Sequence, residues 1–131
     1  MFVDASALVA IIAGENDGVS LAARLDTAEP RYTAALAIYE ATLGLLRIRH
    51  TTIAAITALL DDFMARSRIQ TISITPEIGR LAVEAFARFG RGNHPTQLNM
   101  GDCFAYACAR SLGVPLLAKG GDFPQTDIVL A

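Results

Sequence analysis

The sequence predicts an α/β fold, a sandwich in which a short, mostly parallel central sheet is surrounded by helices. Short apolar runs typical of buried strands alternate with longer runs whose apolar residues recur every three or four positions. Turn and breaker residues separate most of these runs. The 131 residues, 53% of them hydrophobic, suffice for one core, so we expect a single domain over residues 1–131.

The amino-terminal half is predicted to hold two strands and three helices. In chain order these are a strand at Phe2–Val3, a helix that Ser6 can cap and Asn16-Asp17-Gly18 ends, a helix over Val19–Asp26, a strand over Arg31–Thr33 and a helix over Ala34–His50. In the last helix, the three- and four-residue spacing of Leu36, Tyr39, Leu43 and Leu46 predicts one apolar face. Glu40 lies beside that face.

The carboxyl-terminal half continues the alternation. Thr51 or Thr52 can cap a fourth helix with an apolar stripe, and Thr75-Pro76-Glu77 is typical of a helix start. The stripe is formed by Ile53, Ile56, Leu59, Leu60 and Phe63. The remaining predicted elements are a strand over Ile69–Ile74, a helix to about Phe89, a loop over Gly90–Pro95, a helix from Asn99-Met100-Gly101-Asp102 to about Leu112, a strand over Pro115–Ala118 and a last strand over Ile128–Leu130.

Composition and charge exclude several classes of protein. A net charge of -2 and a pI near 5.6 argue against coating of nucleic acid by bulk electrostatics, so any such contact must be local. No apolar run approaches the roughly 18 residues of a membrane span. The amino terminus lacks the positive start of a signal peptide, so we expect a cytoplasmic protein. Cys103 and Cys108 point apart on one helix and are expected to be reduced.

Four acidic residues are candidates for a site at the sheet edge. Parallel sheets bind ligands outside the carboxyl ends of their strands, where Asp4 and Asp122 follow strands and Asp102 opens a helix. Glu40 joins them if its helix packs against that edge. A lone Asp is more often a helix cap or turn former. Asp4 is the exception, because its apolar flanks imply burial and therefore a partner.

Converging carboxylates of this kind predict a divalent cation. Oxygen ligands without clustered His or Cys favour Mg²⁺, or Mn²⁺, over Zn²⁺. A metal held this way lowers the pKa of a bound water and neutralises charge on a phosphodiester. The implied reaction is metal-assisted hydrolysis of a phosphate ester, with one ion or two.

Four sequence blocks in register resemble the VapC-type PIN-domain ribonucleases of type II toxin-antitoxin systems. The blocks are Asp4-Ala5-Ser6-Ala7-Leu8, Tyr39-Glu40, Leu98-Asn99-Met100-Gly101-Asp102-Cys103-Phe104-Ala105-Tyr106-Ala107, and Lys119-Gly120-Gly121-Asp122-Phe123 followed by Thr126-Asp127-Ile128. The resemblance implies a PIN-like α/β/α sandwich, Mg²⁺-dependent endoribonuclease activity, and inhibition by a cognate VapB-like antitoxin. We also expect a homodimer within the toxin-antitoxin complex.

The resemblance also implies residue roles. Asp4, Glu40, Asp102 and Asp122 would form the acidic quartet, Ser6 would support the first Asp, and Asp127 would be a supporting acid or a cap of the final turn. Many relatives carry Thr or Ser at the position of Ala5 and an acidic residue or Asn at that of Gly121. The second departure leaves the fourth acidic position to Asp122, with Asp127 as its alternative.

Candidate RNA contacts lie next to these acids. Phe86–Leu98 carries Arg88, Arg91 and His94 without an acidic residue, although it equally fits a mobile surface loop. Lys119 is expected either to contact phosphate or to damp carboxylate repulsion.

Two other readings stay open. A HAD-like phosphatase also begins with an Asp after strand one and ends with Lys and Asp, but Ser6 stands where its second Asp is expected. An inactive PIN-like module that binds a partner is the other. Apart from these alternatives, the apolar stripes of the third and fourth helices predict a partner, an antitoxin helix that lies in a groove.

Overall fold

The computed structural model describes residues 1–131 and contains four strands and six helices. The strands are β1 (Phe2–Val3), β2 (Arg31–Ala34), β3 (Ile69–Ile72) and β4 (Leu116–Leu117). The helices are α1 (Ala5–Ala13), α2 (Gly18–Asp26), α3 (Ala35–Arg49), α4 (Ile53–Arg66), α5 (Pro76–Phe89) and α6 (Met100–Leu112), and a short 3₁₀ turn covers Phe123–Gln125. The predicted alternation of strands and helices is confirmed.

All four strands are parallel and lie in the order β3-β2-β1-β4. Phe2 pairs with Tyr32 on one side and with Leu116 on the other. The chain therefore builds outward from β1 through β2 to β3, and then returns to add β4 on the opposite side. Such a reversal leaves a crevice at the carboxyl ends of β1 and β4, where α/β proteins bind ligands.

Helices cover both faces of the sheet and create two cores. Neighbouring residues of a strand point to opposite faces. Phe2 and Leu116 therefore pack with α5 and α6, whereas Val3 and Leu117 pack with α1 to α4. This layered arrangement is the predicted α/β/α sandwich.

The helix starts follow the predicted capping residues closely. Thr52 and Thr75 accept hydrogen bonds from the backbone N–H groups three residues on, at 3.2 and 3.3 Å. Asn99 caps α6, and Gly113 ends it in the left-handed conformation. Each side-chain acceptor satisfies an N–H group that the first helical turn leaves without a partner.

The predicted apolar face of α3 is wrong. The helix buries Ala37, Ala41 and Leu45 instead, and Tyr39 is 61% exposed. The reason is close packing against α1, because a Cβ atom added at Gly44 would lie only 2.9 Å from a methyl carbon of Val9. Small residues permit this approach, so the buried face follows the alanines and not the larger leucines.

Three further predictions need correction or limits. Asp4 and not Ser6 caps α1, because its carboxylate accepts the Ser6 N–H. The last predicted strand is reduced to one bridge between Leu116 and Leu130. Ile53, in the predicted stripe of α4, is 66% exposed, whereas Ile56 and Leu60 are buried as expected.

Both cysteines are buried and unpaired, as predicted. Burial raises the pKa of each thiol to about 11, so both are poor nucleophiles at neutral pH. None of the six helices combines the length and the apolar character needed to cross a membrane.

Candidate active site

Asp4 lies at the carboxyl end of the central strand β1 and is almost completely buried. Its backbone N–H donates to the Leu117 carbonyl of β4 at 2.9 Å, which fixes it at the crevice between the two strands. Its Oδ2 accepts the Ser6 N–H at 2.9 Å and the Ser6 hydroxyl at 2.5 Å. The carboxylate is therefore both a helix cap and an oriented, desolvated acid with 5% exposure.

Asp102 is held by a capping box at the start of α6. The Asn99 N–H donates to Asp102 Oδ2 at 2.8 Å, and the Asp102 N–H donates to Asn99 Oδ1 at 3.0 Å. This reciprocal pair fixes the carboxylate in the first helical turn. Asp102 is therefore not the N-cap of α6, which is Asn99, but its partner in the capping box. Burial and the charges of Asp4 and Asp122 raise its pKa.

Glu40 on α3 lies directly against the first turn of α6. A Cβ atom added at Gly101 would overlap both carboxylate oxygens of Glu40. The absence of a side chain at Gly101 therefore leaves room for the Glu40 carboxylate against α6. Because Asp102 is the next residue, the same contact brings the Glu40 and Asp102 carboxylates together.

Asp122 comes from the loop that follows β4. The Lys119 N–H donates to the Ser6 hydroxyl at 3.0 Å, and the buried Phe123 ring anchors the other end of the loop. Asp122 itself is exposed and accepts no hydrogen bond within the chain. Its charge nevertheless contributes to the raised pKa values of Asp4 and Asp102.

The four carboxylates interact electrostatically as one group. Burial is the largest cause that raises the pKa of Asp4, and it raises that of Asp102 to about 6. Burial also raises the pKa of Glu40, and the charges of Asp4 and Asp102 add to the effect. The Arg91 guanidinium acts in the opposite direction on Asp102. The cluster is thus short of positive charge.

The donor chemistry of this cluster fits a hard divalent cation, since every candidate ligand is a carboxylate. As placed, no three carboxylate, imidazole or thiol side chains form a finished metal site. Asp4 Oδ2 and Asp102 Oδ2 are engaged in local hydrogen bonds instead. The fit therefore rests on donor type and unbalanced charge, and not on completed coordination geometry.

Comparison with known proteins identifies the family of this chain. The family model for the PIN domain matches residues 1–129. The chain belongs to the PIN-domain family. This PIN domain is 36% identical to a VapC ribonuclease of Rhizobium meliloti, over 97% of the chain and 98% of the relative. It is 37% identical to ribonuclease VapC28 of Mycobacterium tuberculosis, over 98% of the chain and 95% of the relative.

A solved structure supports the fold of this PIN domain. The crystal structure of Mycobacterium tuberculosis VapC20, described as a sarcin-ricin loop cleaving toxin, aligns with a TM-score of 0.76. The alignment covers 99% of the chain and 97% of the toxin at 22% sequence identity. At this identity the match establishes the PIN-like fold.

Asp127 belongs to a separate ionic cluster in this PIN domain. The Tyr106 hydroxyl donates to its Oδ1 at 2.6 Å, and Arg88 and Arg110 donate to its Oδ2 at 2.9 and 3.1 Å. These bonds lower the pKa of Asp127 to about 2, the Tyr106 bond most. The charge of Asp127 is not among the causes that raise the pKa values of Asp4, Glu40 and Asp102. Of the two candidates for the fourth acid, Asp122 is the one beside the others.

The predicted RNA contacts fall in different places. Arg88 is engaged by Asp127 and lies over the Phe89 ring, 4.5 Å from its centroid. His94 Nδ1 accepts the Thr96 N–H at 3.2 Å, and its ring packs edge-on against Phe89. Arg91 is exposed and acts on Asp102. Among these three residues, Arg91 has the charge and position to meet a phosphate near the acids.

Lys119 is engaged as well, because its ammonium donates to Glu15 in the turn between α1 and α2. It does not bind any of the four site acids. Sequence reasoning missed both Glu15 and the role of Gly101. A turn acid far away in sequence gives no local signal of an ion pair with Lys119. Gly101 is a small residue inside a helix start, where a close approach is a standard reason for glycine.

Proposed function

We propose that the chain is a Mg²⁺-dependent endoribonuclease and the toxin of a VapBC-type toxin-antitoxin pair. The observation that carries the proposal is the gathering of Asp4, Glu40, Asp102 and Asp122 at the edge where the sheet reverses. Four separate segments of the chain supply these carboxylates. Repulsion between four carboxylates destabilises the folded state unless a bound cation compensates their charge.

Asp4, Glu40, Asp102 and Asp122 would hold the metal, which when bound supplies an activated water and neutralises charge on the phosphodiester. Ser6 orients the Asp4 carboxylate, and the Asn99 N–H orients that of Asp102. The surrounding residues shield the Asp4 carboxylate from bulk water. Arg91, whose charge acts on Asp102, would attract a phosphate of the RNA strand. Mn²⁺ has the same ligand preference and is expected to substitute.

The relatives supply the substrate class. Two relatives that cover nearly the whole chain are named ribonucleases, and the chain keeps all four acids that we propose as metal ligands. The proposal therefore favours an active enzyme over an inactive partner-binding module. The phosphatase alternative is disfavoured because the chain is a PIN domain. In addition, Ser6, which hydrogen-bonds Asp4, stands where a phosphatase of that type needs its second Asp.

The proposed protein partner is a VapB-like antitoxin that contributes an amphipathic helix. Large apolar side chains remain uncovered on α3 and α4, including Tyr39, Ile48 and Ile53. Exposed apolar side chains in neighbouring helices are typical of surfaces that bind a partner. We also propose that the toxin is a homodimer in this complex. Light scattering of the toxin alone and with its co-expressed genomic neighbour tests both statements.

The decisive experiment measures cleavage of a structured RNA with Mg²⁺, with Mn²⁺ and with EDTA. Hydrolysis of a small phosphate monoester is measured beside it, since a phosphatase would prefer that substrate. We expect RNA cleavage only with metal, and none by an Asp4→Asn variant. Asp62→Asn, which removes an exposed carboxylate on α4, is the matched control and should cleave normally. RNA cleavage that persists in EDTA would contradict the proposal.

A further inference from the structure

The backbone of Lys119 contacts Ser6, the residue that supports Asp4, whereas its side chain is engaged elsewhere. Its N–H donates to the Ser6 hydroxyl at 3.0 Å, and that hydroxyl donates to Asp4 at 2.5 Å. Lys119 also lies three residues before Asp122. A lysine carries a flexible four-carbon stem, so its ammonium is within reach of the acidic cluster. In the structure it binds Glu15 instead.

The backbone of Glu15 is held by hydrogen bonds in the turn between α1 and α2. Its own N–H donates to the Ala10 carbonyl at 3.0 Å, and its carbonyl accepts the Gly18 N–H at 2.8 Å. The preceding Gly14 adopts φ +72, which allows α1 to end in a tight left-handed cap. Both sides of the Glu15 backbone are therefore fixed by helix ends.

The two side chains form a partly sheltered pair. The side chain of Lys119 is 37% exposed and that of Glu15 is 29% exposed. Asp17, in the same turn, adds a second negative charge that favours the charged lysine. No other acid competes for Lys119 at ion-pair distance.

We propose that Glu15 is a positioning residue that keeps the Lys119 ammonium out of the acidic cluster, so that a metal ion and not lysine neutralises it. The inference rests on the proposed metal-dependent function. Without Glu15, the ammonium would be free to turn on its flexible stem towards the four carboxylates, of which only Asp102 is acted on by a cation, Arg91. It would then compete with Mg²⁺ for them. Glu15 thus sets the metal affinity of a site to which it is not a ligand.

A competing lysine and a loosened loop make opposite predictions, which a double-mutant cycle separates. Glu15→Gln frees the ammonium, Lys119→Met removes it, and the double variant removes both partners. The readout is the Mg²⁺ concentration that gives half-maximal thermal stabilisation without RNA. Asp17→Asn is the control for loss of one negative charge in the same turn.

We expect Glu15→Gln to raise that Mg²⁺ concentration about two- to fivefold, the range set by a partly exposed charge pair. Lys119→Met should leave it at or below the wild-type value, and the double variant should match Lys119→Met. Cleavage by Glu15→Gln should return to the wild-type rate at saturating Mg²⁺, because competition is overcome by excess metal. Asp17→Asn should shift the concentration less than Glu15→Gln does.

Three results would overturn the inference. Lys119→Met would raise the required Mg²⁺ as much as Glu15→Gln if the pair merely tethers the loop. Asp17→Asn would match Glu15→Gln if only general charge matters, and an unchanged Glu15→Gln would remove the role altogether. A wild type that Mg²⁺ fails to stabilise would instead reject the metal site itself, and the inference with it. The two failures are therefore distinguishable.

Discussion

Two carboxylate clusters in this small domain have opposite electrostatic character. At the sheet edge, burial and mutual repulsion raise the pKa values of Asp4, Glu40 and Asp102. In the second cluster, Tyr106, Arg88 and Arg110 satisfy Asp127 and lower its pKa to about 2. The second cluster joins α5 and α6 to the segment after β4.

The difference separates a structural use of charge from a functional one. Asp127 is compensated inside the chain, so its ionisation favours the folded state. Of the sheet-edge acids, only Asp102 is acted on by a cation, the exposed Arg91, so their ionisation opposes folding until a bound cation compensates them. An acidic cluster left unbalanced by the fold is a candidate site for that reason.

The largest expected effect is on cleavage by Asp102→Asn. The amide can still accept the Asn99 N–H and keep the capping box, but it removes one charge from the proposed metal site. Cleavage should fall by at least about a hundredfold, beyond the loss typical of outer-shell changes. Without metal, the melting temperature should stay the same or rise, because repulsion is relieved.

Thermal melts with and without Mg²⁺ and an RNA cleavage assay check this outcome. Asp127→Asn is the matched comparison, since it removes one charge from the compensated cluster. Mg²⁺ should stabilise wild type more than Asp102→Asn. A rate near wild type in Asp102→Asn would reduce Asp102 to a helix cap and remove the contrast between the clusters.

The next effect concerns Gly101→Ala, which pushes a methyl group into the Glu40 carboxylate. We expect cleavage to fall about tenfold or more, because misplacement near the reacting groups is costly. Stability should fall by about 1 kcal/mol at most, the low end for overpacking, because the methyl group meets the end of the flexible Glu40 side chain. Urea unfolding and the cleavage assay measure the two effects.

Gly79→Ala is the control for the helix-favouring effect of alanine. Gly79 lies within α5, and an added Cβ meets nothing within 4 Å. That variant should be more stable by about 0.5–1 kcal/mol and cleave normally. If Gly101→Ala behaves in the same way, Glu40 is free to move and α6 does not fix its position.

Much of the fold was predictable because the signals are local. Thr52, Thr75 and Asn99 are residue types that commonly cap helix starts, and Gly113 is typical of a helix end. The buried face of α3 was not predictable in this way. Its selection depends on how closely α1 approaches, and that distance is a tertiary property.

The site was predictable in part for a different reason. Asp4 stands out because apolar neighbours force its burial, and the resemblance to VapC-type sequences pointed to the other acids. The pairing of Asp127 with two arginines and Tyr106 was missed, since the partners lie 17 to 39 residues away. The Glu15–Lys119 pair spans 104 residues and left no sequence signal.

A smaller effect is expected from Asp127→Asn. The variant loses two charge-assisted hydrogen bonds but keeps an acceptor for Tyr106. Because these groups are partly exposed, unfolding free energy should fall by only about 1 kcal/mol. The kcat of cleavage should stay near wild type.

Asp62→Asn is the control, because Asp62 forms a more exposed pair with Arg66 and its loss should lower the unfolding free energy in urea by less. Loss of cleavage without loss of stability would connect Asp127 to the active site.

The smallest effect is a pH dependence whose sign differs between the clusters. The pKa of Asp102 is about 6 in the folded chain and near 3.8 when unfolded, so the folded state binds the proton more tightly. Its contribution to stability is therefore complete below about pH 4 and is lost as pH rises through 6. Asp127 does the reverse, because its contribution is present above pH 4 and is lost as pH falls towards 2.

These two windows do not overlap, so melts without metal can separate the clusters. Between pH 4 and 6.5, the melting temperature of wild type should fall as pH rises, and Asp102→Asn should reduce that slope. Asp127→Asn should leave this slope intact and instead flatten the loss of stability below pH 4. Saturating Mg²⁺ should reverse the wild-type slope, because metal binds the deprotonated carboxylates. A slope in this window that Asp102→Asn leaves unchanged would mean that Asp102 is already compensated within the chain, as Asp127 is.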